Sequence, residues 1–141
     1  MEIHSPDGSS PQVMESDHWT LRELRIMDMR SGTSRTLYQY QMSDWPDHGV
    51  PRSPAPFARY LAAVKLRWQA QQQPQQPILV HCSAGVGRTG VFILADIAVA
   101  SLLDTGYVDL PQTLIKLREQ RPHMVQTMAQ YAFVYDALAY M

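Results

Sequence analysis

Hydrophobic positions change their period along this chain. From Thr36 to Met42 they alternate, with Leu37, Gln39 and Gln41 on one side and Thr36, Tyr38, Tyr40 and Met42 on the other. Period two predicts a strand. The preceding run, Trp19 to Arg30, alternates less cleanly and also fits a helical period. The turn-like "SGTS" between the two runs favours a hairpin. From Ser53 or Pro54 to about Gln71 the period becomes helical, with Phe57, Leu61, Val64 and Trp68 on one stripe. Arg88 to about Asp104 is apolar almost all round, the mark of a buried helix. Asp109 is placed to cap a helix through Gln120, with Leu110, Leu114 and Leu117 inward and Pro111 tolerated in the first turn. Thr127 to Tyr140 reads as a last helix, with Tyr131, Val134, Tyr135 and Leu138 on one face.

Between these elements lie three kinds of break. Residues 1–17 are rich in Ser, Pro, Gly and acid and read as a loose tail, which leaves 18–141 as the folded domain. "SDWPDHGVPRSPAP" carries four prolines and must be a loop. "QAQQQPQQP" is a polar, low-complexity connector, read as a surface linker in preference to an interaction segment because of its prolines. The apolar triplet Ile78-Leu79-Val80 after it has the character of a short buried strand in a parallel sheet. The sum is an α/β domain, strands first and helices later.

Composition narrows the function. The chain has 141 residues, 45% hydrophobic and 18% charged, enough for one globular domain. A net charge of −1 gives no basic excess for nucleic acid. One cysteine excludes an internal disulfide framework and a Cys-rich zinc site, and agrees with a reducing compartment. The N-terminus lacks a signal-peptide pattern. The longest apolar stretch, Val91 to Leu103, falls short of the roughly 20 residues that a membrane span needs. The expectation is a soluble cytoplasmic protein with no membrane span.

The one cysteine sits in "ILVHCSAGVGRTGVFIL", between the apolar triplet and a helix start near Arg88. Alone, a cysteine is more often an inert small hydrophobe, and Gly85 and Gly87 alone would be an ordinary turn. Together they describe something sharper. The loop Ser83, Ala84, Gly85, Val86, Gly87 can turn its N–H groups inward as an anion-binding nest, and the helix N-terminus adds positive potential. Such a setting lowers a thiol from about 8.5 toward the ~3.5–7.5 range of activated cysteines. Arg88 adds a planar fork that can take two oxygens of one phosphate. Thiolate, donors and guanidinium around one cavity suit attack of Cys82 on a tetrahedral phosphorus. The Thr89 hydroxyl is placed to donate to the sulfur when it later leaves.

"HCSAGVGRTG" resembles the signature loop of the tyrosine-specific protein phosphatases, "WPDHGVP" their mobile acid loop, and "QTMAQYAFVYDAL" their glutamine loop and final helix. The likeness covers roughly Trp19 to Met141. The stretch "LREQRPHMVQTMAQYAFVY" is most similar to non-receptor members that carry an N-terminal FERM module.

The resemblance implies a twisted mixed β-sheet with helices packed on it, the cysteine loop lying between a central strand and a helix N-terminus. It implies hydrolysis of phosphotyrosine in proteins through a phosphocysteine, with no metal or other cofactor. Asp47 is then the acid that protonates the leaving phenolate and later takes a proton from water, and Trp45 and Pro46 set the hinge of its loop. Without Cys82 downstream, Asp47 would read as a turn residue. Asp44 stands before the Trp, which argues against it as the acid. His81 is read as shaping the cysteine loop and His48 as facing solvent.

Gln126 and Gln130 resemble the pair that orients water in the second step. Gln130 has a competing role, because "TMAQ" is a capping box with Thr127 as N-cap, so Gln126 ranks first for catalysis and Gln130 as a substrate-side residue. Arg118, Arg121 and His123 form a basic stretch that reads either as an attractor of acidic phosphopeptides or as a solvated face.

Residues 1–17 match neither the family's Asn-Arg-Tyr-type substrate loop nor its glutamate-bearing loop, so the chain is read as the C-terminal portion of the domain with the N-terminal part of the fold missing. Two rivals follow. One is a catalytically impaired fragment that binds phosphotyrosine; the other is a mostly unfolded truncation product. Retention of Cys82, Arg88 and Asp47 together favours the enzyme, since a pure binder can drop the thiol and the acid.

Overall fold

The computed structural model describes residues 2–4, 12–46, 48–71 and 76–141. They fall into two compact units, Met1–Trp45 and Pro46–Met141.

The first unit is a sheet of four antiparallel strands: β1 (Glu2–His4), β2 (Gln12–Glu15), β3 (Trp19–Met27) and β4 (Ser34–Met42). The hairpin expected around "SGTS" is β3–β4, registered from Trp19 opposite Met42 to Met27 opposite Ser34. Its turn closes with Gly32 N–H donating to Asp28 O at 2.8 Å and Asp28 N–H to Thr33 O at 2.9 Å. Across the pair, the Arg22 guanidinium donates to Gln41 Oε1 at 2.7 Å and to Gln39 Oε1 at 3.3 Å. These bonds join polar side chains on neighbouring strands.

β1 and β2 lie in the stretch read as a loose tail. Both pair with β3, at Arg25–Met27 and Thr20–Glu23. β4 fills one edge of β3 along its whole length, so the two short strands share the other. An open edge offers unpaired N–H and C=O groups, and even a short segment such as "QVME" can satisfy them. Residues 5–11 of that stretch lie outside the described residues, as do 72–75 of the glutamine-rich connector.

Among the described residues the second unit carries four helices: α1 (Pro54–Gln69), α2 (Gly87–Thr105), α3 (Leu110–Gln120) and α4 (Met128–Tyr140). Their starts are written in the sequence. Ser53 caps α1 by accepting the Ala55 N–H, Asp109 caps α3 by accepting the Gln112 N–H, and Thr127 with Gln130 forms the capping box of α4. Gly106, at φ 71°, ends α2 in the left-handed conformation.

The helical core joins Phe57, Leu61 and Val64 of α1 to Val91, Leu94, Ala95 and Ala98 of α2, Leu114 and Leu117 of α3, and Phe133, Val134 and Ala137 of α4. Phe57 meets Phe133 edge to face at 5.4 Å, and Tyr60 meets Phe92 likewise at 5.8 Å. No described helix is long and apolar enough to cross a membrane.

Two expectations are corrected. The inward face of α4 is Gln130, Phe133, Val134 and Ala137, while Tyr135 stands 46% exposed. The capping box turns Gln130 inward, and the rest of the stripe follows at helical spacing. The apolar triplet Ile78-Leu79-Val80 forms no strand, and Leu79 is 89% exposed. A strand exists through its partner's hydrogen bonds, and no described segment supplies them here. The α/β class, strands first and helices later, is as expected; every described pairing is antiparallel, and among the described residues no parallel strand precedes the cysteine loop.

Candidate active site

The cysteine loop runs from His81 to Val86 and feeds directly into α2. Val86, at the N-cap position, makes no side-chain cap bond. A helix start without a side-chain cap keeps its N–H groups for a ligand. Gly85, at φ 69°, turns the chain so that its N–H and that of Val86 point toward Cys82.

Cys82 is half-buried. Its Sγ accepts the Thr89 hydroxyl at 3.1 Å, from a threonine only 4% exposed in the first turn of α2. Partial burial pushes the thiol up. The Thr89 hydroxyl and the backbone N–H groups of Thr89, Gly85 and Val86 outweigh it, and bring the thiol from its ordinary 9.0 down to about 7. The thiol is therefore substantially ionised near neutrality, at the upper end of the activated range. Ser83 and Ala84 are exposed on the loop, and Gly87 is buried at its end.

Arg88 is partly exposed, and its Nη2 donates to Pro46 O at 3.1 Å. The arginine expected to take phosphate thus ties the cysteine loop's helix to the first residue of the second unit, next to Asp47. Asp47 itself lies outside the described residues. His48 and Pro46, on either side of it, are exposed, and Trp45 is partly buried. Asp44 Oδ2 lies 3.2 Å from His18 Nδ1, which gives that carboxylate another partner within the first unit.

The glutamine loop approaches from below Gly87. A Cβ at Gly87 would meet Gln126 Oε1 at 2.6 Å and Gln130 Nε2 at 3.0 Å, so both amides rest against the end of the cysteine loop. Gln130 is 9% exposed, and its Oε1 accepts Gln126 N–H at 2.8 Å and Thr127 N–H at 3.4 Å. Its side chain is committed to holding the glutamine loop, whereas Gln126 is exposed.

The loop is pressed onto α2. A Cβ at Gly90 would collide with Val125 N and approach Met124 C at 3.0 Å. Val86 O accepts both Gly90 N–H at 3.0 Å, inside the helix, and Val125 N–H at 3.1 Å from the glutamine loop. One carbonyl thus belongs to both loops.

Arg118, Arg121 and His123 are exposed, and the two arginines also bond to backbone. Arg121 Nε donates to Gly85 O at 3.0 Å, and its Nη2 reaches Ala84 O at 3.5 Å. Arg118 Nε donates to Met124 O at 2.9 Å, and its Nη2 to Val125 O at 2.7 Å. Two guanidinium forks therefore hold the carbonyl side of the two loops. Sequence reasoning missed this because an arginine that serves a backbone and one that serves solvent look alike in one dimension. The signal it left is spacing: Arg118 and Arg121, three apart, bracket the end of α3.

A cavity of about 500 Å³ lies elsewhere, lined by Leu102, Tyr107, Leu110, Pro111, Tyr135 and Leu138. None of these belongs to either loop, and none is a nucleophile placed beside an anion-binding backbone.

The family model for "Protein-tyrosine phosphatase" matches residues 7–140. The chain belongs to the protein-tyrosine phosphatase family. Among curated relatives, receptor-type tyrosine-protein phosphatase S of Gallus gallus is 47% identical over 119 residues, covering 84% of this chain and 8% of the relative. Receptor-type tyrosine-protein phosphatase F of Danio rerio is 47% identical and that of Homo sapiens 46%, each over 119 residues, 84% of this chain and 6% of the relative. The chain thus spans 6% to 8% of the length of these protein-tyrosine phosphatases. All three are receptor-type, and they lend no support to the likeness with FERM-bearing members.

Proposed function

We propose that this chain hydrolyses phosphotyrosine in proteins by way of a phosphocysteine. The observation that carries the reading is the setting of Cys82, whose Sγ accepts the Thr89 hydroxyl at 3.1 Å and faces loop N–H groups, a setting that favours the thiolate. The thiolate attacks phosphorus in line with the phenolate. N–H groups of the cysteine loop hold the equatorial oxygens, and Arg88 brings the donors that its bond to Pro46 O leaves over. Asp47 protonates the departing phenolate, as the family resemblance assigns.

In the second step Gln126 orients water toward phosphorus and Asp47 accepts its proton. The Thr89 hydroxyl then stabilises the sulfur as it leaves, in the same contact that activated it. Trp45 and Pro46 form the hinge on which the acid loop closes. A thiolate nucleophile needs a reducing compartment, which fits the cytoplasmic side of a cell.

Stopped-flow release of phenol from an aryl phosphate tests this directly. The wild type is expected to turn over, Cys82→Ser to lose turnover, and Asp47→Ala to slow phenol release. Equal background rates in all three overturn the proposal and leave a phosphotyrosine binder or an inactive fragment, which titration with a phosphotyrosine peptide separates.

A further inference from the structure

We infer that Arg118 is a positioning residue for the second chemical step: its guanidinium holds Val125 in a left-handed conformation and thereby keeps Gln126 against the cysteine loop. The inference rests on the phosphatase reading above and on Gln126 presenting the water.

Val125 has φ 60°, and His123, two residues earlier, has φ 66°. A β-branched residue at positive φ is a steric outlier and stays there only when its surroundings over-determine it. The surroundings are on both sides. Toward α2, Val125 N–H is spent on Val86 O at 3.1 Å, and the backbone lies where a Cβ on Gly90 would stand. Toward α3, Arg118 spans two successive carbonyls, Met124 O at 2.9 Å and Val125 O at 2.7 Å. A fork can hold two carbonyls in a fixed mutual orientation, and an ammonium cannot.

Releasing Val125 O lets the valine return to negative φ. That rotates the next peptide plane and lifts Gln126 away from Gly87, where its Oε1 now rests. None of the bonds at Cys82, Thr89 or Arg88 involves Arg118. Loss of the fork should therefore leave phosphorylation of the cysteine nearly intact and slow its hydrolysis.

The test compares wild type, Arg118→Met, Arg118→Lys and the double variant Arg118→Met with Val125→Gly, using stopped flow on an aryl phosphate and intact-protein mass spectrometry. Both single variants are expected to release the first phenol within about threefold of the wild-type rate. Their steady-state turnover should fall by roughly 10- to 100-fold, at or below the lower end of what a positioned catalytic group contributes, with phosphoenzyme accumulating. Glycine meets no Cβ clash at positive φ, but Val125 is 1% exposed and its loss also empties a core site, so recovery of any part of the second step in the double variant supports the inference.

Equal losses in both phases, or an unchanged ratio of the two phases, overturns the inference. Should Arg118→Met fail to fold by circular dichroism, Arg118→Lys decides on the same ratio. Wild-type turnover that survives Cys82→Ser sinks the phosphatase reading; wild-type turnover that Cys82→Ser abolishes, with an unchanged ratio in the Arg118 variants, sinks only this inference.

Discussion

The cysteine loop and the glutamine loop lie side by side on the first turn of α2, yet they are built in opposite ways. The cysteine loop reaches its unusual conformation with glycine, Gly85 at φ 69°. It turns N–H groups toward Cys82, and Arg121 takes its outward carbonyls. The glutamine loop makes a comparable turn without glycine, through His123 and Val125. Its carbonyls are held by Arg118, and the Val125 N–H bonds it to the cysteine loop. A loop that must receive a changing ligand is relaxed by composition. A loop that must only aim one side chain can be strained, provided something stiff holds it.

Substitutions can break or sharpen that contrast. The largest effect belongs to the nucleophile: Cys82→Ser is expected to lower turnover by at least about 10⁴-fold, as removal of a covalent nucleophile does elsewhere, measured as steady-state phenol release. Asp47→Ala should cost about 10²–10⁴-fold in the chemical step and flatten the alkaline limb of the pH–rate profile, where the acid must still carry its proton.

Gly90→Ala tests the seam between the loops. The added methyl meets the backbone of Met124 and Val125, and overpacking of this kind costs about 1–3 kcal/mol, read as a lower denaturation midpoint. Turnover should fall with it, because the glutamine loop must move.

Thr89→Ala tests the activated thiol. Its loss removes the strongest of the hydrogen bonds that lower the Cys82 pKa. The midpoint of iodoacetamide labelling should rise from about 7 toward the ordinary 9.0. The sign for stability follows. A thiol whose folded pKa is depressed contributes stability that is complete above about pH 9 and is lost as pH falls through about 7. Thr89→Ala should therefore weaken the rise of stability across that window. The smallest effect is at the capping box, where Thr127→Ala should cost about 1 kcal/mol in thermal unfolding.

The same contrast explains what was legible in one dimension. Glycines, a cysteine and an arginine at fixed spacing announce the cysteine loop, because its conformation is paid for in residue type. The helices were legible for a similar reason: Asp109 and Thr127 are residues that a helix start selects, and both cap as expected, while Ser53, read as a possible first residue of its helix, is the cap. The glutamine loop hides its strain behind His123 and Val125, residues that advertise nothing, and the arginines that hold it read as surface charge. The triplet Ile78-Leu79-Val80 failed for another reason. Its apolarity records a suitability for pairing, and pairing depends on a neighbour that the triplet cannot specify.

The Val86 carbonyl, shared between the Gly90 and Val125 amides at 3.0 and 3.1 Å, has a consequence for how the molecule breathes. The backbone of Met124 and Val125 packs on Gly90, so lifting the glutamine loop bares the Val125 amide and uncovers the Gly90 amide beneath it. In deuterium exchange the two amides should report one common opening free energy, and a phosphate analogue bound in the cysteine loop should slow both together.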